Sequence, residues 1–262
     1  TVYVVDAVAG QTEYQTVQAA VDAANAAGGG TVYVRPGIYV EDLTLYDAVD
    51  IIAAVATPAG FETTITGVHT PPAAGAVSLR NLSLTSITDI LNSAVAGTTT
   101  IVIIDCITDC ATGYTFNLAN WTGLIAFINS HSVGTQDGLA DIGAGGADFL
   151  GLNSTLGIGT AQLGALGGNV RINNCNINCQ MDWVGNAAGI IRASQVTETW
   201  LVSDNAACVM TDTLFINAAS ATFLNHTSTG NVTLSNVTIS TDQDPDVITG
   251  TGTVIFGSVV FA

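Results

Sequence analysis

The sequence predicts an all-β solenoid, a single-stranded parallel β-helix with one helix near its start. One pattern (apolar, x, apolar, x, Asn, x, x, apolar) recurs at residues 77–84, 170–177 and 232–239, and its alternation of apolar and polar positions is typical of strands. Looser copies lie between these units, so a repeating unit of roughly 17 to 24 residues runs through the chain, as in a solenoid. The fifth positions of the successive units are Asn81, Asp105, Asn129, Asn153, Asn174, Gln195, Asp212 and Asn236.

The first and third positions of each unit are expected to face a shared core, because a short strand with one apolar face is buried only when neighbouring coils stack on it. The first positions are Val77, Ile101, Ile125, Phe149, Val170, Ile191, Cys208 and Val232. The third positions are Leu79, Ile103, Phe127, Gly151, Ile172, Ala193, Met210 and Leu234. The fifth position is predicted to form a left-handed corner with a side-chain ladder, since Asn and Asp tolerate that conformation. The alternative, an antiparallel sandwich, gives no reason to repeat one corner residue in register.

Composition limits the classes of partner. The chain has 21 Asp plus Glu, 4 Arg and no Lys, with a formal net charge of −17. Binding to nucleic acid is therefore not expected, because neutralising phosphates requires a basic surface. Insertion into a membrane is not expected either, since no apolar run is long enough to span a bilayer. The mostly uncharged polar surface favours an extracellular or virion-surface location.

The N-terminal part of the chain is predicted to hold the helix. Residues 2–5 have the composition of a first strand, and residues 14–27 follow with Tyr14, Val17, Val21 and Ala24 at helical spacing. Three glycines at 28–30 are expected to end this helix, which is predicted to cover the open end of the core. No composition break divides the chain, so residues 1–262 are predicted to form one domain, with β-helix coils over about residues 31–262.

A segment near the N-terminus carries a family resemblance. Residues 14–21, followed by residues 30–41 with Gly37, Tyr39 and Glu41 in a Gly-x-Tyr-x-Glu arrangement, resemble the opening of pectin-lyase-like right-handed β-helices. Pectin methylesterases and the heads of many phage tailspikes carry such a segment. The close match covers about residues 10–86, and it is more specific for the fold than for an activity. Here the motif is expected to be structural, with the glycine turning the chain and the tyrosine filling the first coil.

The resemblance to pectin methylesterases implies two aspartates on adjacent coils, a nucleophile and an acid/base, beside an arginine. Asp137, after Gln136, and Asp148, before Phe149, are the candidate carboxylates, and Arg171 is the candidate arginine. Asp137 and Asp148 are half a coil apart, whereas stacking on one face requires a full coil. Arg171 lies one coil after Asp148 and within reach of it. The family's later Gly-Arg-x-Trp segment has no counterpart, so the catalytic set is incomplete.

Other reactive side chains indicate no further site. Asp105 and Asp109 are the candidate Ca²⁺ ligands, but acids at corners and on solvated faces are usually plain surface; no other cofactor is expected. His69, His131 and His226 have no mutual spacing that suggests a site and are expected to be surface residues. The cysteine pairs Cys106/Cys110 and Cys175/Cys179 cannot bridge within an extended strand, so free thiols are expected.

Two classes of function fit these observations. The first is a non-catalytic structural or attachment protein of a virion or cell surface, such as a phage capsid decoration, fibre or spike component. Such a protein would contact a capsid or tail protein or a surface glycan, and the tailspike-like resemblance implies a homo-oligomer, with a trimer favoured. The alternative is a carbohydrate-active enzyme of the pectinesterase type acting on an acidic polysaccharide. The apolar segment 253–261 is expected to be covered by a partner subunit, or else to fold back on the core.

Overall fold

Parallel strands stacked along one axis make up almost all of the regular structure in this computed structural model. It describes residues 1–54, 63–118, 120–133, 138–141, 146–157, 162–166, 168–178, 180–183, 188–197, 200–202, 206–217, 224–241 and 248–261. Within them lie one helix and a succession of short strands. The helix is α1 Val17–Ala26. The strands are β1 Val2–Val5, β2 Gly30–Val34, β3 Gly37–Val40, β4 Val49–Ala53, β5 Thr63–Thr66, β6 Ala76–Arg80, β7 Ser83–Ser86, β8 Leu91–Ser93, β9 Thr100–Ile104, β10 Ile107–Cys110, β11 Tyr114–Leu118, β12 Leu124–Ile128, β13 His131–Val133, β14 Gly138–Asp141, β15 Asp148–Leu152, β16 Thr155–Leu156, β17 Gln162–Leu166, β18 Asn169–Asn173, β19 Asn176–Ile177, β20 Gln180–Trp183, β21 Ala188–Arg192, β22 Gln195–Val196, β23 Trp200–Val202, β24 Ala207–Asn217, β25 Leu224–His226, β26 Asn231–Thr241, β27 Ile248–Gly250, β28 Thr253–Phe256 and β29 Val259–Phe261.

These strands form the three faces of a β-helix. The first face stacks β1, β2, β4, β6, β9, β12, β15, β18, β21, β24, β26 and β28, and the second stacks β3, β5, β7, β10, β13, β16, β19, β22 and β29. Strands β24 and β26 run through the corner between these two faces, which therefore join in one 21-stranded sheet. The third face is an 8-stranded sheet of β8, β11, β14, β17, β20, β23, β25 and β27. Every pairing between the described strands is parallel, so the predicted parallel β-helix is confirmed and the antiparallel sandwich is excluded.

The predicted inward columns are confirmed between residues 77 and 172. Val77 pairs with Ile101, which pairs with Ile125 and then Phe149, and all of these side chains are buried. The third positions stack in the same register, from Leu79 onwards. The core therefore continues from coil to coil, as stacked strands with one apolar face require.

The predicted corner is confirmed at most of its positions. The residues with positive φ at this corner are Asn81, Asp105, Asn129, Asn153, Asn174, Ala193, Asp212 and Asn236. At each of several coils the corner N–H donates to the backbone carbonyl just before the next corner, as from Asn129 to Leu152 at 2.9 Å. This places the corner side chains in a column, one coil apart.

The predicted register is wrong in one coil, residues 188–197. Ile191 pairs with Ile172 and Met210, so it holds the third position, and Gly189 holds the first. The left-handed corner is therefore Ala193, at φ 49°, and not Gln195. This register could not be recognised from the sequence because its first inward position is a glycine and not an apolar side chain. Glycine is required there, since a Cβ at Gly189 would come within 2.4 Å of the Val170 carbonyl oxygen. The corner residue, moreover, lacks the amide by which the other corners were recognised.

The predicted helix is confirmed but is shorter than residues 14–27. It begins after Thr16, whose Oγ1 accepts a hydrogen bond from the Ala19 N–H at 3.3 Å. The carboxylate of Glu41 accepts from the N–H groups of Val17 and Gln18 at 2.8 and 2.9 Å. Glu41 thus binds the positive end of the helix dipole. The buried face of the helix joins the core of the first coils, as expected for a cap.

The Gly-x-Tyr-x-Glu motif has a structural role, as expected. Tyr39 is buried and its hydroxyl donates to the Arg35 carbonyl at 2.9 Å. At the other end of the chain, β28 and β29 both pair with β26, and Val254 and Val259 pack against the core. The segment 253–261 therefore continues the coil stack, while its covering by a partner stays a prediction.

Candidate functional site

Two of the three predicted catalytic residues, Asp148 and Arg171, lie on the first face, on neighbouring coils. Asp137 lies outside the described residues. Asp148 begins β15, and its Oδ1 accepts hydrogen bonds from the backbone N–H and the Nδ2 of Asn169 at 2.8 and 3.0 Å. The register places Arg171 beside Leu150, two residues after Asp148 on β15.

Asp148 and Arg171 line one cavity of about 210 Å³, but they form no ion pair there among the described residues. The Asp148 carboxylate instead joins its own coil to the next through Asn169. No second carboxylate lines this cavity in the part of the chain that the structure describes. The esterase assignment of Asp137, Asp148 and Arg171 therefore stays a prediction.

The candidate Ca²⁺ ligands Asp105 and Asp109 are both exposed, the first at the corner and the second on β10. No cluster of three or more His, Cys, Asp or Glu side chains suited to a metal ion occurs within the described ranges.

The expectation that all three histidines are surface residues is wrong for two of them. His69 and His226 are buried, whereas His131 is exposed. Nδ1 of His69 accepts from the Leu43 N–H at 3.2 Å, and burial lowers the pKa of His69 to about 4. Its Nε2 is buried without a hydrogen-bond partner. His69 is therefore a neutral core residue at physiological pH.

The expected free thiols are confirmed for Cys106, Cys110, Cys175 and Cys208, while Cys179 lies outside the described residues. All four are buried. Burial raises the pKa of Cys106 to about 12, and it also raises the pKa of Cys175 and of Cys208. The thiols of Cys106, Cys175 and Cys208 are therefore protonated at neutral pH, which makes them poor nucleophiles.

A polar groove lies where the first face turns into the second. Two columns of uncharged polar side chains and one histidine form its walls, and its cavity measures about 370 Å³. We call it the corner groove, lined by His131, Asn153, Ser154, Thr155, Asn174, Cys175, Asn176, Ala193, Ser194 and Gln195.

The first wall is the corner ladder. Nδ2 of Asn153 donates to Oδ1 of Asn129 at 3.1 Å, and Nδ2 of Asn174 donates to Oδ1 of Asn153 at 2.9 Å. The ladder ends at Ala193, whose methyl group offers neither donor nor acceptor. The column of amides is therefore interrupted at this coil of the groove.

The second wall stands two residues beyond the corner. Strand register stacks His131 on Thr155, Thr155 on Asn176 and Asn176 on Gln195. His131 Nδ1 lies 3.0 Å from Thr155 Oγ1, so these two side chains share a hydrogen bond. This wall was missed from the sequence, although a polar residue two places after the corner in four successive coils was a usable signal.

The arrangement presents donors and acceptors at a repeat of one coil, about 4.8 Å. Apart from the histidine, the groove has no titratable side chain on its surface, because Cys175 is buried in the floor. It can form many neutral hydrogen bonds with an extended ligand that lies along the helix axis.

No family model matches this chain, and no curated protein matches it. Among solved structures, it is similar to the Streptococcus pneumoniae surface protein and adhesin PfbA, with 10% identity, a TM-score of 0.37 and 94% of each chain covered. It is also similar to the A-module of the Azotobacter vinelandii mannuronan C-5 epimerase AlgE6, with 14% identity, a TM-score of 0.34 and 94% of each chain covered. For the AlgE4 A-module the identity is 15% and the TM-score 0.26, over 94% of this chain and 92% of that one. None of the described helices is long and apolar enough to cross a membrane. The strand register by itself shows a parallel β-helix, which is the fold that the resemblance to pectin-lyase-like proteins implied.

Proposed function

We propose that this protein is a non-catalytic attachment module, a β-helical rod of a virion or cell surface that binds an uncharged glycan in the corner groove. The proposal rests on the two walls of the corner groove, which are stacked columns of polar side chains. Asn153 belongs to the first column and Thr155 to the second. Phage capsid decorations, fibres and spike components are forms that such a rod takes.

The chemistry of the corner groove suits a sugar chain. Glycan hydroxyls both donate and accept hydrogen bonds, and the amides of Asn174, Asn176 and Gln195 do the same. A linear glycan presents similar hydroxyls at every sugar, and the groove presents similar side chains at every coil, about 4.8 Å apart. Several sugars can therefore bind in the same way.

Charge favours a neutral glycan over an acidic one. The formal net charge is −17, and neither arginine nor lysine lines the corner groove. A polyuronate would meet long-range repulsion without a compensating ion pair. A neutral polysaccharide avoids this repulsion and keeps its hydrogen bonds.

The test is a glycan array followed by titration calorimetry on the glycans that bind. Thr155→Ala is expected to weaken binding by about tenfold, because it removes a hydroxyl from the second wall. Thr238→Ala is a matched control, since Thr238 occupies the same column several coils away and is equally half-buried. Equal loss in both variants, or binding of acidic glycans alone, would contradict the proposal.

The second candidate function is a carbohydrate esterase, favoured by the cavity that Asp148 and Arg171 line together. Its assay is methanol release from methyl-esterified pectin by the wild type and by Asp148→Asn. Release that depends on Asp148 would support the esterase in place of the attachment module.

A further inference from the structure

The corner ladder is interrupted at a single coil of the described corner column. Every other left-handed corner residue of this column is Asn or Asp, whereas Ala193 has no polar side chain. Before the interruption, Nδ2 of Asn174 donates to Asn153. After it the ladder resumes, since Nδ2 of Asn236 donates to Oδ1 of Asp212 at 2.7 Å. We call the place of the missing side chain the ladder gap, bounded by Asn174, Ala193 and Asp212.

The ladder gap leaves one hydrogen-bond acceptor open to the corner groove. In each ladder bond, Nδ2 of an asparagine donates to Oδ1 of the corner residue one coil earlier. Oδ1 of Asn174 would therefore accept from the coil that holds Ala193, where the side chain is a methyl group. Within the described ranges this oxygen accepts no hydrogen bond. Because Asn174 is exposed and both residues line the corner groove, a bound ligand can supply the missing donor.

An amide is the group whose chemistry suits the ladder gap. On the preceding coils the same place holds the carboxamide of Asn153 or Asn174, which donates to the coil before it. Sugars carry an equivalent group as the acetamido substituent of N-acetylhexosamines, which has an N–H donor, a carbonyl acceptor and a methyl group. The N–H can donate to Oδ1 of Asn174, and the methyl can contact the side chain of Ala193. The carbonyl can accept from the amides of Asn176 or Gln195, which line the same cavity.

We propose that the ladder gap binds the acetamido group of a neutral, N-acetylhexosamine-containing glycan. This inference rests on the proposed function and narrows the class of glycan that the corner groove binds. The gap calls for a neutral group, because the carboxylate of Asp212 already pairs with Arg192 at 3.5 Å and accepts from Asn236. A single gap in the described column binds a single acetamido group, and the neighbouring sugars bind through their hydroxyls.

The test is titration calorimetry with two matched probes, N-acetylated chitotetraose and cellotetraose. Both are neutral, linear, equally long and linked in the same way, and they differ only in whether each sugar carries an acetamido group or a hydroxyl beside its anomeric carbon. The wild type is expected to bind the acetylated chain about tenfold more tightly, because only the acetamido group combines the donor for Asn174 with a carbonyl and a methyl contact. The quantity to compare between variants is the ratio of these two affinities.

Two variants abolish the ladder gap in opposite ways. Ala193→Asn fills it with the missing carboxamide, and asparagine tolerates the left-handed conformation at φ 49°. Asn174→Ala removes the open acceptor. Each is expected to reduce the affinity ratio to about one, whereas a general folding defect would lower both affinities and leave the ratio unchanged. Ala48→Asn is the matched control, because Ala48 is an exposed alanine in the same conformation, at φ 58°, that does not line the corner groove.

Equal affinity of the wild type for both probes, or a preference that survives Ala193→Asn, would overturn the inference. Tighter binding of deacetylated chitotetraose, whose ammonium groups the net charge of −17 attracts, would also overturn it and assign the gap to a cation. Binding of neutral glycans that lack acetamido groups, without binding of acetylated chitotetraose, would overturn this inference and leave the proposed function standing. Failure to bind any neutral glycan would overturn both.

Discussion

The backbone N–H of Ser130 donates a 3.1 Å hydrogen bond to Oγ of Ser154, the residue that occupies the same position one coil later. Ser154 Oγ in turn donates to the Leu152 carbonyl at 2.7 Å. Cys106 donates its N–H to Ser130, and Cys175 donates its N–H to Ser194, at 3.1 and 3.2 Å. The residues directly after the corner thus form a column of buried Ser and Cys side chains. The serine hydroxyls in this column bond backbone N–H and C=O groups that would otherwise be buried without a partner.

The Ser154→Ala variant tests this buried column. It leaves the buried Ser130 N–H without an acceptor, which is expected to lower the free energy of unfolding by about 1–3 kcal/mol in urea denaturation. Ser154→Cys is expected to cost less, since Cys occupies the equivalent position at 106 and 175. Equal stability of Ser154→Ala and the wild type would show that the column contributes nothing.

The Ala193→Asn variant tests the corrected register. Asn tolerates the left-handed conformation at φ 49° and would extend the ladder from Asn174, so a gain of about 1 kcal/mol in unfolding free energy is expected. Gln195→Asn serves as the comparison and is expected to leave stability within about 0.5 kcal/mol. A higher unfolding free energy for Gln195→Asn together with a lower one for Ala193→Asn would contradict the corrected register and support the one predicted from the sequence.

The Glu41→Gln variant tests the helix cap. The carboxylate accepts from two N–H groups at the start of α1, and an amide provides one oxygen and no charge. A loss of about 1 kcal/mol is expected in thermal or urea unfolding. Glu13→Gln, an exposed glutamate before the helix, is the control and should unfold like the wild type.

Acid sensitivity is expected from His69. Burial lowers its pKa in the folded state from 6.5 to about 4, so the unfolded chain binds a proton that the folded chain does not. Stability is therefore full above pH 6.5 and falls as the pH drops towards 4, by about 2 kcal/mol between pH 7 and pH 5.

The variant that checks this is His69→Gln, whose side-chain oxygen can still accept from Leu43. Its unfolding free energy is expected to change less between pH 7 and pH 5 than that of the wild type. His131→Gln, at an exposed position, is expected to keep the slope of the wild type. Parallel slopes for all three proteins would show that His69 titrates normally.

The sequence was sufficient to predict the coils of the β-helix wherever characteristic side chains occupy the corner and the inward positions. Asn81, Asn129 and Asn153 mark the corner because few other residues tolerate it, and the aliphatic residues before them mark the core. The pattern failed at Ala193, since a small residue is also tolerated at the corner when the backbone ladder on both sides holds it.

The site was less predictable than the fold. The corner groove depends on two columns that meet in space only when several coils stack in one register. His69 and His226 were misplaced because burial of a polar ring depends on a single backbone partner, such as the Leu43 N–H. Residue type alone does not show such a partner.

The most direct test of the attachment proposal is to recover a bound neutral glycan after incubation and determine its mass and linkage. We expect the glycan to bind to the wild type, to return unaltered and to bind less to Thr155→Ala, with Asp148→Asn indistinguishable from the wild type. A glycan that returns cleaved or de-esterified, with the change abolished by Asp148→Asn and kept in Thr155→Ala, would contradict the proposal and identify an enzyme.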